Sequence, residues 1–192
     1  PETNLRGIRF NKPGRHNLLN GVAAISMALK AGRKPDKLAQ AMESFKGVQR
    51  RFSYAIKQDQ FVFIDDYAHH PTEINAVYDA VKEMHPNMKT MVVFQPHLYS
   101  RTRDFGDAFA RSLEKFDCVL LLDIYPAREK PIPGITAEWL LEKIKNPNKK
   151  RINKEEISQE IMAYSPEVFI TLGAGDIGLE INGLKKELAH AI

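Results

Sequence analysis

The spacing of apolar residues predicts two helices in the first quarter of the chain. In residues 15–32, apolar side chains recur at the spacing of one helical face: Leu18, Val22, Ile25 and Leu29. Gly32 is typical of the end of such a helix. Residues 34–45 have a second helical pattern, and Pro35 and Asp36 near its beginning are typical of a helix start.

After Gly47 the pattern changes, so we predict one unit over residues 1–46 and another over residues 47–192. In the second unit, four short apolar runs predict strands at residues 61–64, 90–94, 118–122 and 168–172. Helical patterns lie between and after them at residues 72–84, 104–115, 137–144 and 176–189. The strands are apolar throughout and alternate with helices. We therefore expect an α/β fold, with a mostly parallel sheet covered by helices on both faces.

A polar cluster follows each predicted strand. These clusters are "DDYAHH", "QPHLYSR", "DIYPARE" and "GAGD". In open α/β sheets, ligands bind outside the carboxyl ends of the strands. If the strands are parallel, the four clusters meet at one edge of the sheet and form a site there.

Each cluster also has a purely structural explanation. Asp65 and Asp66 are adjacent acids that could cap the following turn. His69 and His70 could bind zinc, but no third and fourth ligands follow at a zinc-like spacing, so we predict no metal site. Pro71 is expected at the first position of a helix.

The glycines of "LGAGDIG" match a phosphate-binding turn only weakly. The segment follows the last strand instead of the first, so dinucleotide binding is not expected. Asn17 and Asn20 are three residues apart and share one face of the first helix.

Composition adds little to the choice of function. The chain has 192 residues, a net charge of +4 and a pI of about 9.1, which favours anionic ligands in general. The basic run "KNPNKKR" has no interleaved aromatic residues, so a solvated loop is expected and nucleic acid is not an expected partner. Cys118 lies in an apolar run and is expected in the core. With no visible signal peptide and no apolar run of about 20 residues, a cytoplasmic location is expected, without membrane partners.

Seven motifs occur in a fixed order between about residues 14 and 178. They are "GRHNLLN", "GVQRRF", "DDYAHHPTEI", "FQPHLYSRTRDF", "LLLDIYPARE", "PIPGI" and "TLGAGDIG". This ordered set resembles the Mur ligases of bacterial cell-wall synthesis. The resemblance implies that residues 47–192 form the Rossmann-like third domain, which binds the amino acid. It also implies that residues 1–46 are the end of the central ATP-binding domain.

The resemblance implies an ATP-dependent ligase that adds L-alanine to UDP-N-acetylmuramate through an acyl phosphate, with ATP and Mg²⁺ as cofactors. No G-x-x-x-x-G-K-[ST] phosphate loop occurs in the 192 residues. We therefore expect a C-terminal fragment that is inactive without its N-terminal and central domains. The alternatives are the family's ligase that recycles murein tripeptide and a stand-alone nucleotide-binding module.

The resemblance also implies roles for individual residues on the ATP side. Asn17 and Asn20 match positions near the adenine, Arg51 matches the arginine that reaches the phosphates, and Asp66 matches the acid that meets the ribose.

On the amino-acid side, Tyr67, His69 and His70 belong to the histidine motif that contacts the substrate. His97 and Arg101 match the loop that holds the L-alanine carboxylate. His69 and Arg101 are the candidate catalytic residues, with His69 either a base or an orienting group. Many relatives have arginine where this chain has Leu98, and Arg103 is the rival cation, unless it pairs with Asp104 or Asp107.

Overall fold

The computed structural model describes residues 8–10 and 12–191, and the chain divides into two compact units, Pro1–Val48 and Gln49–Ile192. In the first unit lie two helices, α1 (Arg15–Lys30) and α2 (Pro35–Ser44), so both predicted helices are confirmed. Gly32 follows α1 with a φ of +76°, a left-handed conformation that glycine adopts without strain. The predicted range 1–46 includes residues 1–7 and 11, which lie outside the described residues.

The second unit is built on one six-stranded sheet. Its strands are β1 (Ser53–Lys57), β2 (Val62–Asp66), β3 (Thr90–Phe94), β4 (Cys118–Leu121), β5 (Lys149–Arg151) and β6 (Val168–Leu172). Their order across the sheet is β1-β2-β6-β3-β4-β5. Only β1 is antiparallel to its neighbour among these strands, so the predicted mostly parallel sheet is confirmed.

Five α-helices connect and follow these strands. They are α3 (Pro71–Met84), α4 (Tyr99–Leu113), α5 (Ala137–Lys143), α6 (Ile157–Tyr164) and α7 (Ile177–Ala191), and a 3₁₀ turn at Lys154–Glu156 precedes α6. Pro71 is the first residue of α3, as predicted. The prediction for α4 was wrong at its start, because the helix begins at residue 99 instead of 104.

The sheet carries a separate apolar core on each face, because successive side chains of a strand point to opposite sides. On one face, Ile64, Phe94 and Leu121 pack with residues of α3, α4 and α5. On the other, Phe63 and Phe169 belong to a cluster that includes residues of α6 and α7. Helices therefore cover both faces, as predicted.

The prediction of a solvated loop was wrong for residues 149–151, which form β5 beside β4. Lys149 Nζ donates to the carbonyl oxygens of Leu141 and Ile144, so its ammonium group is hydrogen-bonded inside the fold.

The prediction for Cys118 is confirmed: the residue is 5% exposed, and burial raises the pKa of its thiol to about 11. None of the helices in the described part of the chain is long and apolar enough to cross a membrane.

Two helical glycines offer a test of packing in the second unit. A Cβ on Gly106 in α4 would lie 2.5 Å from the ring of Trp139, whereas a Cβ on Gly183 in α7 would meet nothing within 4 Å. Alanine favours a helix over glycine by about 1 kcal/mol, but overpacking costs about 1–3 kcal/mol. We expect Gly106→Ala to lower the free energy of unfolding and Gly183→Ala to raise it, as measured by urea denaturation. Equal effects of both substitutions would contradict the packing at Trp139.

Candidate functional site

The loops that follow β2, β3, β4 and β6 lie side by side at the carboxyl edge of the sheet. Gln95 N donates to Leu172 O at 2.9 Å, which joins the ends of β3 and β6. Tyr125 N donates to Pro96 O at 2.8 Å, which joins the loops after β3 and β4. Because β2, β6, β3 and β4 are parallel, the prediction that the four polar clusters share one edge is confirmed.

A row of four rings crosses this edge. The rings of Tyr67 and His69 meet edge to face at 5.3 Å, and those of His69 and His97 at 6.1 Å. The ring of His97 stacks on Tyr125 with centroids 5.7 Å apart. The structure thus brings together three predicted residues from two separate motifs, and it adds Tyr125, which was not predicted as a site residue.

Arg101 lies directly beside this row. Its Nη1 atom is 3.4 Å from His97 Nδ1. The pKa of His97 is lowered by burial first and then by the nearby charges of Arg101 and His69. A neutral His97 can accept the hydrogen bond from the guanidinium and help to hold it at the edge.

Arg103, the rival cation, points elsewhere. Its Nε atom is 2.7 Å from Asp104 Oδ1, and half of its side chain is exposed. Of these two arginines of α4, only Arg101 joins the row of rings in the described structure.

The surroundings of His69 decide which of its ring nitrogens is free. Nδ1 lies 2.9 Å from Tyr67 O and 3.4 Å from Glu73 Oε2, and both of these atoms are acceptors. In a neutral ring the hydrogen therefore lies on Nδ1, and Nε2 has the lone pair. Glu73 also accepts from His69 N at 2.9 Å and fixes the residue at this place.

His70 has a structural role in this fold. Its backbone lies just before α3, and its Nδ1 atom accepts a hydrogen bond from Thr72 N at 3.3 Å. Its ring meets Phe105 edge to face at 4.7 Å. Through these contacts the side chain of His70 caps the start of α3 and packs α3 against α4.

The two adjacent acids after β2 are buried. Asp66 is 3% exposed, and its two oxygens accept from Phe52 N at 2.6 Å and from Ala68 N at 2.8 Å. Burial raises the pKa of Asp66 to about 6. Asp65 accepts from Arg50 Nε at 3.1 Å and from Thr171 Oγ1 at 2.9 Å. Both acids thus tie neighbouring segments together, and a ribose contact by Asp66 stays a prediction.

The adjacent residues Arg50 and Arg51 have different environments, one inside the fold and one at the surface. Arg50 has a φ of +58°, and besides Asp65 it donates to Gly173 O at 2.6 Å and lies over the ring of Tyr67. Arg51 has a side chain that is 51% exposed, and its guanidinium approaches Glu73 at 4.0 Å. Arg51 is therefore the member of the pair that can reach an anionic ligand.

The glycine-rich segment after β6 packs against Gln95. A Cβ on Gly175 would lie 2.3 Å from Gln95 Oε1, so no larger residue fits there without a shift. Gln95 in turn accepts from Ile177 N at 3.0 Å and donates to Asp176 at 2.7 Å. These glycines let the start of α7 approach β3.

The remaining predicted site residues lie on α1 in the first unit. Asn17 Nδ2 donates to Pro13 O at 2.7 Å, and Asn20 is exposed. Among the side chains that the structure describes, no three histidine, cysteine, aspartate or glutamate residues converge as metal ligands.

Residues that sequence reasoning missed at this edge are Arg50, Glu73, Tyr125 and Glu129. All four lie inside the seven motifs, which was the available signal, but Arg50, Tyr125 and Glu129 have partners in other segments. For example, Ser100 N donates to Glu129 at 2.9 Å across 29 positions of sequence.

Comparison with curated proteins gives relatives over the whole chain. The chain is 55% identical to the UDP-N-acetylmuramate–L-alanine ligase of Flavobacterium johnsoniae over all 192 residues, which is 43% of that relative's length. It is 43% identical to the ligase of the same name from Porphyromonas gingivalis, over 98% of this chain and 41% of the relative. The chain thus spans less than half the length of the curated relatives it matches.

Solved structures and a family model agree with these relatives. The crystal structure of UDP-N-acetylmuramate-alanine ligase from Thermotoga maritima aligns with a TM-score of 0.77 and 28% identity, over 95% of this chain and 40% of that one. The family model described as Mur ligase, glutamate ligase domain, matches residues 50–175. Because this match covers more than half of the chain, the chain belongs to the Mur ligase, glutamate ligase domain family.

Proposed function

We propose that this chain is the C-terminal part of an ATP-dependent ligase that joins L-alanine to UDP-N-acetylmuramate in peptidoglycan synthesis. The observation that carries the proposal is the placement of Arg101 beside His97, in one row with His69, whose Nε2 is free. An amide-forming ligase needs a cation for the amino-acid carboxylate and an acceptor for the ammonium proton, and this edge offers both. The names of the relatives support L-alanine as the amino acid.

On the amino-acid side, each of these residues has a chemical role. The guanidinium of Arg101 can donate two hydrogen bonds to one carboxylate, which fixes the orientation of the amino acid. The free Nε2 atom of His69 can accept a proton from the ammonium group, and the amine then has the lone pair it needs for attack. Tyr67 and His97 flank His69 in the row of rings, and these contacts orient its ring.

On the nucleotide side, ATP supplies the phosphoryl group that activates the substrate carboxylate. The exposed guanidinium of Arg51 suits the phosphates, whose charge must be balanced during transfer. We assign Asn17 and Asn20 to the adenine and Asp66 to the ribose on the strength of the motif resemblance. The phosphate loop, the Mg²⁺ ligands and the UDP-sugar site are assigned to the rest of the full-length ligase, which we place in the cytoplasm with its nucleotide substrates.

The test is ADP release by the full-length ligase with ATP, UDP-N-acetylmuramate and L-alanine. We expect release to require all three, and the 192-residue chain alone to give none. Murein tripeptide in place of L-alanine tests the family's recycling ligase, and glycine and L-serine test the choice of amino acid. Release with tripeptide but not with L-alanine would overturn the proposal in favour of the recycling ligase. ATP binding by the full-length protein without any ligase activity would favour a nucleotide-binding module.

A further inference from the structure

The loop after β4, residues 123–130, supports the segment that carries His97 and Arg101. Leu98 N donates to Tyr125 O at 2.9 Å, and Tyr125 N donates to Pro96 O, so the two backbones pair on both sides of His97. The ring of Tyr125 stacks on that of His97 with an interplanar angle of 19°. The loop therefore holds the backbone and the ring of the residue that precedes α4 by two positions.

The same loop completes the amino terminus of α4. The residue before the helix is Leu98, which has a φ of +74° and a side chain that cannot accept a hydrogen bond. The first turn of α4 also contains no acidic residue. A helix start needs acceptors for its free N–H groups and is stabilised by negative charge. Both are missing from α4 itself.

Glu129 supplies both from the loop after β4. Its carboxylate accepts from Ser100 N at 2.9 Å and from the Ser100 hydroxyl. These bonds, and the charge of Arg101 to a smaller extent, hold the pKa of Glu129 below its ordinary value. The carboxylate thus stays ionised at the helix start, one residue before Arg101.

The rest of α4 is held by burial and does not depend on this carboxylate. Phe109 and Leu113, in the last two turns, are fully buried. Without Glu129 we therefore expect the first turn of α4 to loosen while the remainder stays packed. Arg101 lies in that first turn.

From these contacts we propose that Glu129 is a positioning residue: it caps α4 through Ser100 and so fixes the backbone from which Arg101 reaches the carboxylate of the amino-acid substrate. This inference rests on the proposed function, because the role of Arg101 does. It extends that function by assigning specificity for the amino-acid carboxylate to a residue that does not touch it.

The test compares Glu129→Ala, Glu129→Gln and Ser100→Ala with the wild-type full-length ligase. We expect Glu129→Ala to raise the KM for L-alanine about tenfold, with the KM values for ATP and UDP-N-acetylmuramate unchanged. Glutamine keeps one acceptor but no charge, so Glu129→Gln should show a smaller rise. Ser100→Ala, which keeps the backbone bond, should also show a smaller rise. Glu83→Ala, an exposed acid near the end of α3, is the matched control and should change nothing.

Hydrogen exchange on the 192-residue chain gives a readout that does not depend on ligase activity. Glu129→Ala should speed amide exchange at Ser100 and Arg101 but not at Phe109. An unchanged KM for L-alanine in Glu129→Ala, with an active wild type, would overturn the inference. An equal rise in all three KM values would do the same, since it would indicate a general structural role. A wild type that does not use L-alanine would instead refute the proposed function, and the exchange result would then still decide whether Glu129 orders this turn.

Discussion

Replacing Arg101 with lysine is expected to raise the KM for L-alanine on the order of ten- to a hundredfold in the full-length ligase. A hydrogen bond to a charged group is worth about 1.5–3 kcal/mol, and lysine cannot copy the two-pronged geometry of arginine on a carboxylate. His97 holds the guanidinium at 3.4 Å and lies in the row of rings, so the arginine is already oriented. The KM values for ATP and UDP-N-acetylmuramate should stay nearly unchanged, because this side chain is assigned to the amino acid alone.

Arg103→Lys is the matched control for this experiment. It makes the same change two residues away, at a side chain that pairs with Asp104 and is half exposed. We expect wild-type kinetics from it. If Arg103→Lys raised the KM for L-alanine and Arg101→Lys did not, the carboxylate-binding role would belong to Arg103 instead of Arg101. If neither did, the carboxylate must be held by another group.

The central strands and the shared edge could be predicted from the sequence because burial on both faces leaves a strong local signal. Every residue of β2, β3, β4 and β6 is buried, so each strand is a mainly apolar run without the alternation of a half-exposed strand. Once the strands are parallel, the positions of Tyr67, His69, His97 and Arg101 at one edge follow from their places just after β2 and β3.

The edge strands could not be predicted, because their pairing depends on neighbours and not on their own composition. β5 consists of three basic residues, and its place beside β4 is stabilised by contacts such as the Lys149 bonds to the end of α5. β1 is only partly buried and contains a bulge, so its pattern is weak. The helix α6 was also missed. It has only eight residues and two buried side chains, so its apolar pattern is too short to indicate a helix.

The start of α4 and the burial of Asp66 could not be predicted from the sequence for a different reason. Leu98 adopts a left-handed conformation that its residue type does not favour, and the cap of α4 comes from Glu129 far along the chain. The burial of adjacent residues can also differ although the local sequence pattern does not distinguish them. Arg50 is bonded inside the fold while Arg51 is exposed, since the backbone at Arg50 and Phe52 is left-handed.

Replacing Asp66 with alanine is expected to lower the free energy of unfolding of the chain by about 2–4 kcal/mol. The carboxylate accepts from two backbone N–H groups, Phe52 N and Ala68 N, at a position that is 3% exposed. A buried donor left without an acceptor costs about 1–3 kcal/mol, and two would be left here. Urea denaturation of the 192-residue chain measures the change. Asp59→Ala, at an exposed acid in the turn between β1 and β2, is the control and should have little effect.

The loss of unfolding free energy in Asp66→Ala should be larger at low pH than at high pH. Burial raises the pKa of Asp66 from 3.8 to about 6, so the folded state binds the proton more tightly than the unfolded state does. The stability that Asp66 contributes is therefore fully present below about pH 4 and falls as the pH rises through about 6. The difference in unfolding free energy between wild type and Asp66→Ala should accordingly be larger at pH 4.5 than at pH 8. A difference that grows with pH would show that the two N–H bonds outweigh burial and hold the carboxylate ionised. A loss no greater than that of Asp59→Ala at either pH would contradict a structural role for Asp66 and leave the ribose contact as its remaining assignment.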